Sequence, residues 1–116
     1  MCIYILADID CRAGRRLADY GSDEVGVSSI TFAEVALGAW RDERTDVNLF
    51  LRFFDQVPVI PFDRDAALCY AGLPFRRASY DRLIAAHALA LNATLVTSNL
   101  RDFFDIPRLK LEDWMA

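Results

Sequence analysis

The chain has 116 residues, of which 54% are hydrophobic, and a formal net charge of −4. This length predicts one domain, spanning residues 1–116, with enough apolar residues to build a core. The acidic balance argues against nucleic-acid binding by bulk electrostatics, although it does not exclude a nuclease whose site holds cations. No apolar run approaches the roughly 20 residues of a membrane span and no signal sequence is evident, so we expect a cytoplasmic protein.

Strands and helices alternate along the chain. Apolar runs predict strands at residues 3–7, 25–28, 57–62, 93–97 and 107–111. Amphipathic segments predict helices at 12–20 and after Thr31, Asp46, Asp63 and Ser79. Two prolines in the third strand place it at an edge of the sheet. The order predicts an α/β fold, a three-layer sandwich in which helices flank a central, mostly parallel sheet.

The stretch from Ser79 to Phe104 is the most informative part of the sequence. Ser79 is a favourable N-cap, and Asn92 can adopt the left-handed conformation that ends a helix. The apolar residues that follow predict a strand buried on both faces. Open parallel sheets bind their ligands outside the carboxyl ends of the strands. Asp81, in the first helical turn, and Asp102, just past the strand, are therefore candidate functional residues.

Four acidic residues follow predicted strands or lie near helix starts: Asp8, Glu34, Asp81 and Asp102. Each alone has a structural explanation, and Glu34 fits a capping box that begins at Thr31. Four carboxylates at one edge would repel one another unless cations neutralised them. Oxygen ligands without histidine or cysteine favour Mg²⁺ or Mn²⁺, and these ions suit phosphodiester hydrolysis.

Other residue types give weaker indications. The three cysteines lack metal-binding spacing, and His87, the only histidine, lies among alanines and leucines, where a packed or surface histidine is expected. The arginines include two local groups, interpreted either as solvated helix faces or as phosphate contacts. These groups are Arg12, Arg15, Arg16 and Arg76, Arg77, Arg82.

Three segments together resemble a known family: YDRLIAAHALALNATLVTSNLRDFFDIPRLKLEDW (80–114), SSITFAEVALGA (28–39) and VIPFD (59–63). The sequence resembles the PIN-domain ribonucleases, most closely the VapC-type toxins of bacterial toxin–antitoxin pairs. The resemblance implies an endoribonuclease that depends on Mg²⁺ or Mn²⁺ and acts on an RNA substrate. It also implies a homodimer and a VapB-type antitoxin whose C-terminal segment covers the site. The implied metal ligands are Asp8, Glu34, Asp81, Asn99 and Asp102.

The N-terminal motif departs from the family pattern. The family usually has D-T-N or D-T-D after the first strand, whereas this chain has Asp8-Ile9-Asp10, and the segments after Asp8 and before Asp81 are shorter than usual. Either Asp8 or Asp10 is then the N-terminal ligand. Two alternatives stay open: a degenerate PIN scaffold that binds RNA or a partner without catalysis, and a haloacid-dehalogenase-type phosphatase that uses the DxD motif with Lys110.

Overall fold

A computed structural model describes residues 4–7, 24–74 and 79–114 of the chain. The strands are β1 (Tyr4–Leu6), β2 (Val25–Ser28), β3 (Val59–Ile60), β4 (Thr94–Val96) and β5 (Lys110–Glu112). The helices are α1 (Ser29–Arg41), α2 (Val47–Gln56), α3 (Arg64–Ala71) and α4 (Tyr80–Ala90), with a 3-10 helix at Leu100–Phe103. Among these ranges, no helix has both the length and the apolar character needed to cross a membrane.

The five strands form one parallel sheet in the order β3-β2-β1-β4-β5. Leu6 of β1 is level with Val27 on one side and with Val96 on the other. The strand order reverses direction between β1 and β4, which is the kind of position where open parallel sheets bind ligands. The predicted parallel α/β architecture and the edge position of β3 are confirmed.

Helices cover both faces of the sheet because successive strand residues point in opposite directions. Ile5 and Leu95 pack with Ile84 and Ala88 of α4 in one core cluster. Leu6 and Val96 belong to the second cluster, which also contains Trp114 and has Phe53 of α2 packed against it. Trp114 is buried there.

Polar residues set most helix ends as the sequence predicted. The side chains of Asp46, Asp63 and Ser79 each accept a backbone N–H in the first turn of α2, α3 and α4. Asn92 has a φ of 53°, the left-handed conformation expected after α4. The helix predicted at 12–20 lies outside the described residues, as does most of the loop before Ser79.

The predicted start of α1 at Thr31 is wrong. Ser28 is the N-cap, and its Oγ accepts the Ile30 N–H at 3.1 Å. Because β2 ends on a serine, the chain enters the helix directly, and Thr31 becomes a buried residue whose Oγ1 makes no hydrogen bond. The capping-box explanation of Glu34 therefore fails, since Thr31 is not the cap.

Candidate metal-binding site

The carboxyl ends of β1 and β4 remain aligned beyond the last strand residues. The Ala7 N–H donates to the Val96 carbonyl at 2.8 Å, and the Thr97 N–H donates to the Glu112 carbonyl at 3.0 Å. Asp8 comes directly after Ala7 in the sequence. Asp8 and Asp10, the alternative N-terminal ligands, lie outside the described residues, so the choice between them stays a prediction.

The turn that follows β4 brings two candidate ligands together. The Asn99 N–H donates to Thr97 Oγ1 at 3.0 Å, and the Asp102 N–H donates to the Asn99 carbonyl at 3.2 Å. The Asn99 side-chain amide donates to the Asp102 carboxylate. Both side chains are exposed. The turn thus presents an amide and a carboxylate side by side at the switch point of the sheet.

Asp81 lies in the first turn of α4, where its side chain is exposed. The position is favourable for a carboxylate because the N-terminus of a helix carries a partial positive charge. Ser79 caps this turn by accepting the Arg82 N–H at 3.3 Å. The Asp81 carboxylate is therefore held at the capped N-terminal turn of a helix that is mostly buried.

Arg82 connects the start of α4 to the segment after the 3-10 helix. Its side chain is only 7% exposed; Nη1 donates to Asp105 Oδ2 at 3.2 Å and Nη2 donates to the Pro74 carbonyl at 2.9 Å. Arg82 follows Asp81, and Asp105 lies three residues after Asp102, so this ion pair holds the two acidic positions relative to each other. Arg82 is therefore neither a solvated arginine nor a phosphate contact. The other five grouped arginines lie outside the described residues.

Glu34 is carried by α1, which packs against α4. Its side chain is exposed and takes part in polar contacts. With the capping box excluded, Glu34 keeps its interpretation as a candidate ligand.

The sequence predicted that His87 is either a packed or a surface residue, and the structure shows a packed one. It is 1% exposed, and its Nδ1 lies 2.8 Å from Ser28 Oγ. Its ring meets that of Phe62 edge to face, with the centroids 5.4 Å apart. Burial lowers the pKa of His87 below the ordinary 6.5, although the Asp63 carboxylate and the Pro61 backbone oppose the effect. His87 is therefore a neutral core residue and not a candidate metal ligand.

The candidate ligands have the chemistry that a hard divalent cation requires, since all of them offer oxygen atoms. Within residues 4–7, 24–74 and 79–114, no three histidine, cysteine or acidic side chains lie close enough together to hold a metal ion. Glu34, Asp81 and Asp102 thus do not form such a group by themselves. Asp8, the fourth carboxylate of the predicted cluster, lies outside the described residues.

The family model of the PIN domain matches residues 2–109. The chain therefore belongs to the PIN-domain family. Lys110, the lysine that a phosphatase would need, is level with Thr94 at the amino end of its strand. The candidate site lies at the carboxyl ends of the strands, so Lys110 is at the opposite ends of the strands. The structure and the family both disfavour the phosphatase interpretation.

Within this family the chain is similar to VapC ribonucleases. It is 32% identical to "Ribonuclease VapC2" of Rickettsia felis, over 80% of this chain and 76% of that protein. It is 34% identical to "tRNA(fMet)-specific endonuclease VapC" of Salmonella typhimurium, over 76% of this chain and 74% of that protein. The crystal structure of DNA-bound VapBC from Salmonella typhimurium contains a similar chain, with a TM-score of 0.80 and 28% identity. The match covers 98% of this chain and 99% of that chain.

Proposed function

We propose that this protein is a metal-dependent endoribonuclease, the toxin of a VapBC-type toxin–antitoxin pair. The proposal rests on the similarity to VapC ribonucleases over most of the chain, together with the acidic residues at the switch point of the sheet. Asp102 and Asn99 share one turn there, and the Arg82–Asp105 pair connects that turn to Asp81. This arrangement supports a site on the surface, open to a polymer substrate.

Asp8, Glu34, Asp81 and Asp102, with Asn99, would hold Mg²⁺ or Mn²⁺. When bound, such an ion lowers the pKa of a water molecule and stabilises the charge on the phosphodiester oxygens. The carboxylates hold the cation, and the exposed position of Asp81 and Asp102 gives RNA access to it. His87 cannot act as a general base on the substrate because it is buried in the core.

The decisive experiment compares two aspartates in equivalent helical positions. Asp81 and Asp65 each lie in the first turn of a helix, α4 and α3. We expect Asp81→Asn to abolish Mn²⁺-dependent cleavage of tRNA(fMet) while preserving the fold, since it removes one carboxylate from a repelling cluster. Asp65→Asn is the control and should cleave at the wild-type rate. Normal cleavage by Asp81→Asn, or its unfolding, would make Asp81 a structural residue.

The N-terminal ligand is tested in the same assay. Asp8→Ala should weaken Mn²⁺ binding and stop cleavage, whereas Asp10→Ala should cost at most about 1 kcal/mol of stability. The reverse result would identify Asp10 as the ligand. If neither change affects Mn²⁺ binding and the wild-type protein binds but does not cut RNA, the protein is a degenerate scaffold. That alternative is favoured by one observation, the isoleucine at position 9.

The partners we propose are a VapB-type antitoxin and a second copy of this chain. Four large apolar side chains of α1 and α2 are exposed in the single chain: Leu37, Trp40, Leu49 and Leu51. Several large apolar side chains exposed on two neighbouring helices favour a protein interface there, since large exposed apolar surface commonly marks one. Trp40→Arg should reduce co-purification of the antitoxin or the dimer fraction, whereas Gln56→Arg, a control at the exposed end of α2, should not. If Trp40→Arg changes neither, this surface is not the interface.

A further inference from the structure

Four residues that are not candidate ligands contact one another: Ser28, Ser29, Phe62 and His87. We call them the serine–histidine cluster. Ser28 Oγ lies 2.8 Å from His87 Nδ1, and the His87 ring meets the Phe62 ring edge to face. The Phe62 N–H donates to Ser29 Oγ at 3.0 Å. Together with the peptide bond between Ser28 and Ser29, these contacts form a ring that joins the start of α1, the segment after β3, and α4.

Three contacts hold the beginning of α1: the serine–histidine cluster, Ile30 packed against the first core cluster, and Phe32 packed against the second. Thr31 and Ala39 are the only buried residues of α1, and the Thr31 hydroxyl makes no hydrogen bond. By contrast, six of the eleven residues of α4 are buried. The serine–histidine cluster supplies the hydrogen bonds that join the first turn of α1 to α4 and to the segment after β3.

The Ser28 hydroxyl makes two hydrogen bonds, one within α1 and one to His87. Ser28 Oγ already accepts the Ile30 N–H at 3.1 Å, so its hydroxyl proton is available to His87 Nδ1. A hydroxyl oxygen has two acceptor sites, so the Ser28–His87 contact forms with either neutral tautomer of the ring, with the hydroxyl as donor or as acceptor of a second hydrogen bond. One serine thus caps α1 and binds α4 at the same time.

We propose that His87 is a positioning residue that sets the orientation of α1 on α4 and thereby the approach of Glu34 to Asp81. Glu34 follows Ser28 by six residues in α1, and Asp81 precedes His87 by six residues in α4. The Ser28–His87 contact lies about 9 Å along the axis of α1 from Glu34 and about 9 Å along the axis of α4 from Asp81, so a tilt of α1 about this contact moves Glu34 relative to Asp81. This inference rests on the proposed nuclease function, because it concerns the metal site of that activity.

The test compares two replacements of His87. His87→Phe fills a similar volume without an acceptor, whereas His87→Asn places an amide oxygen near the position of Nδ1. We expect His87→Phe to weaken Mn²⁺ binding and to lower kcat by about ten-fold, the lower end of the range for residues that orient metal ligands. KM for a short RNA should stay unchanged, and His87→Asn should recover most of kcat. Ser28→Gly, which keeps a tolerated cap but removes the hydroxyl, should reproduce the effect of His87→Phe.

Asp46→Ala is the control for lost stability, since it removes the N-cap of α2 away from the serine–histidine cluster. It should leave kcat and Mn²⁺ affinity unchanged. If His87→Phe does not fold, Ser28→Gly decides alone. Unchanged kcat and Mn²⁺ affinity in the folded variants would overturn the positioning role while the nuclease function stood. If the wild-type protein cut no RNA, the nuclease proposal would fail, and Mn²⁺ affinity alone would still decide whether His87 positions the acids. A protein without Mn²⁺ affinity would overturn both.

Discussion

The two helices that carry Glu34 and Asp81 differ sharply in how they are held. In α4, most residues from Arg82 to Ala88 are buried, and Ala85 and Ala88 lie in one core cluster with Ile5 and Leu95 of the sheet. The α1–α2 region (29–56) buries two residues in α1 and none in α2. Its internal contacts are aromatic and half-buried, including Phe32 against Phe54 with centroids 4.7 Å apart. The molecule therefore combines one helix that is largely buried with a helical region whose half-buried aromatic side chains pack against one another and against the second core cluster.

This difference bears on how the proposed site works. Asp81 and the Asn99–Asp102 turn belong to the rigid half, since the Arg82–Asp105 pair and the buried face of α4 hold them. Glu34 belongs to the half with exposed apolar surface, where Trp40 is 57% exposed. A partner that covers the α1–α2 region would bury its exposed apolar side chains, which is favourable. Partner binding and the geometry of the metal site would then be coupled through α1.

The largest expected effect is a loss of stability on truncating a buried residue of α4, compared with an exposed residue of α2. Ile84→Ala in α4 removes a side chain that is 1% exposed and should lower the free energy of unfolding by about 3–4 kcal/mol. Leu51→Ala, in the exposed face of α2, should cost about 1 kcal/mol or less in the isolated chain. Urea denaturation of both variants measures the difference. Equal losses would show that the α1–α2 region is packed as firmly as α4.

A smaller effect is expected at the ion pair within the rigid half. Arg82→Met leaves the Asp105 carboxylate without its guanidinium partner and the Pro74 carbonyl without a donor. We expect a loss of about 2–3 kcal/mol, less than for a fully buried pair because the Asp105 side chain is 23% exposed. Arg44→Met is the control, since it removes an exposed pair with Asp42 and should cost less than about 0.5 kcal/mol.

The same experiment also tests the site geometry. If Arg82 holds Asp81 relative to Asp102, Mn²⁺ affinity should fall in Arg82→Met even at temperatures where the variant is fully folded. Isothermal titration of the folded protein with Mn²⁺ measures this quantity. An unchanged affinity would mean that the acids are positioned by the backbone of α4 and the turn alone.

The sequence predicted the sheet and the local site elements because each depends on a short segment. Apolar runs ended by polar residues located the strands, and the Asn99–Asp102 turn formed where a buried strand met polar residues. The start of α1 was misassigned because Ser28 and Thr31 are both good caps, and only the end of β2 decides between them. The interactions behind the site had no local signal. Arg82 and Asp105 are 23 residues apart, and Ser28 and His87 are 59 apart.

The smallest effect concerns the protonation of His87 in the serine–histidine cluster. Burial lowers the pKa of His87 below 6.5, so between that value and the lowered pKa the unfolded chain binds more protons than the folded chain. The stabilisation is therefore complete above about pH 6.5 and is lost as the pH falls toward the folded pKa. For one group the slope is at most about 1.4 kcal/mol per pH unit.

Urea denaturation from pH 5 to pH 8 measures this dependence as the difference between the wild-type protein and His87→Asn, which cannot titrate. The difference should be constant above pH 6.5 and should fall below it. Asp63 is the charged group whose field raises the pKa of His87, so Asp63→Asn, which keeps a good cap for α3, should lower the pKa further. The loss of stability on acidification should then extend over a wider range, down to a lower pH. A difference that stays flat below pH 6.5 in both backgrounds would mean that protonation of His87 is not coupled to folding, and that the contact with Ser28 tolerates the imidazolium form.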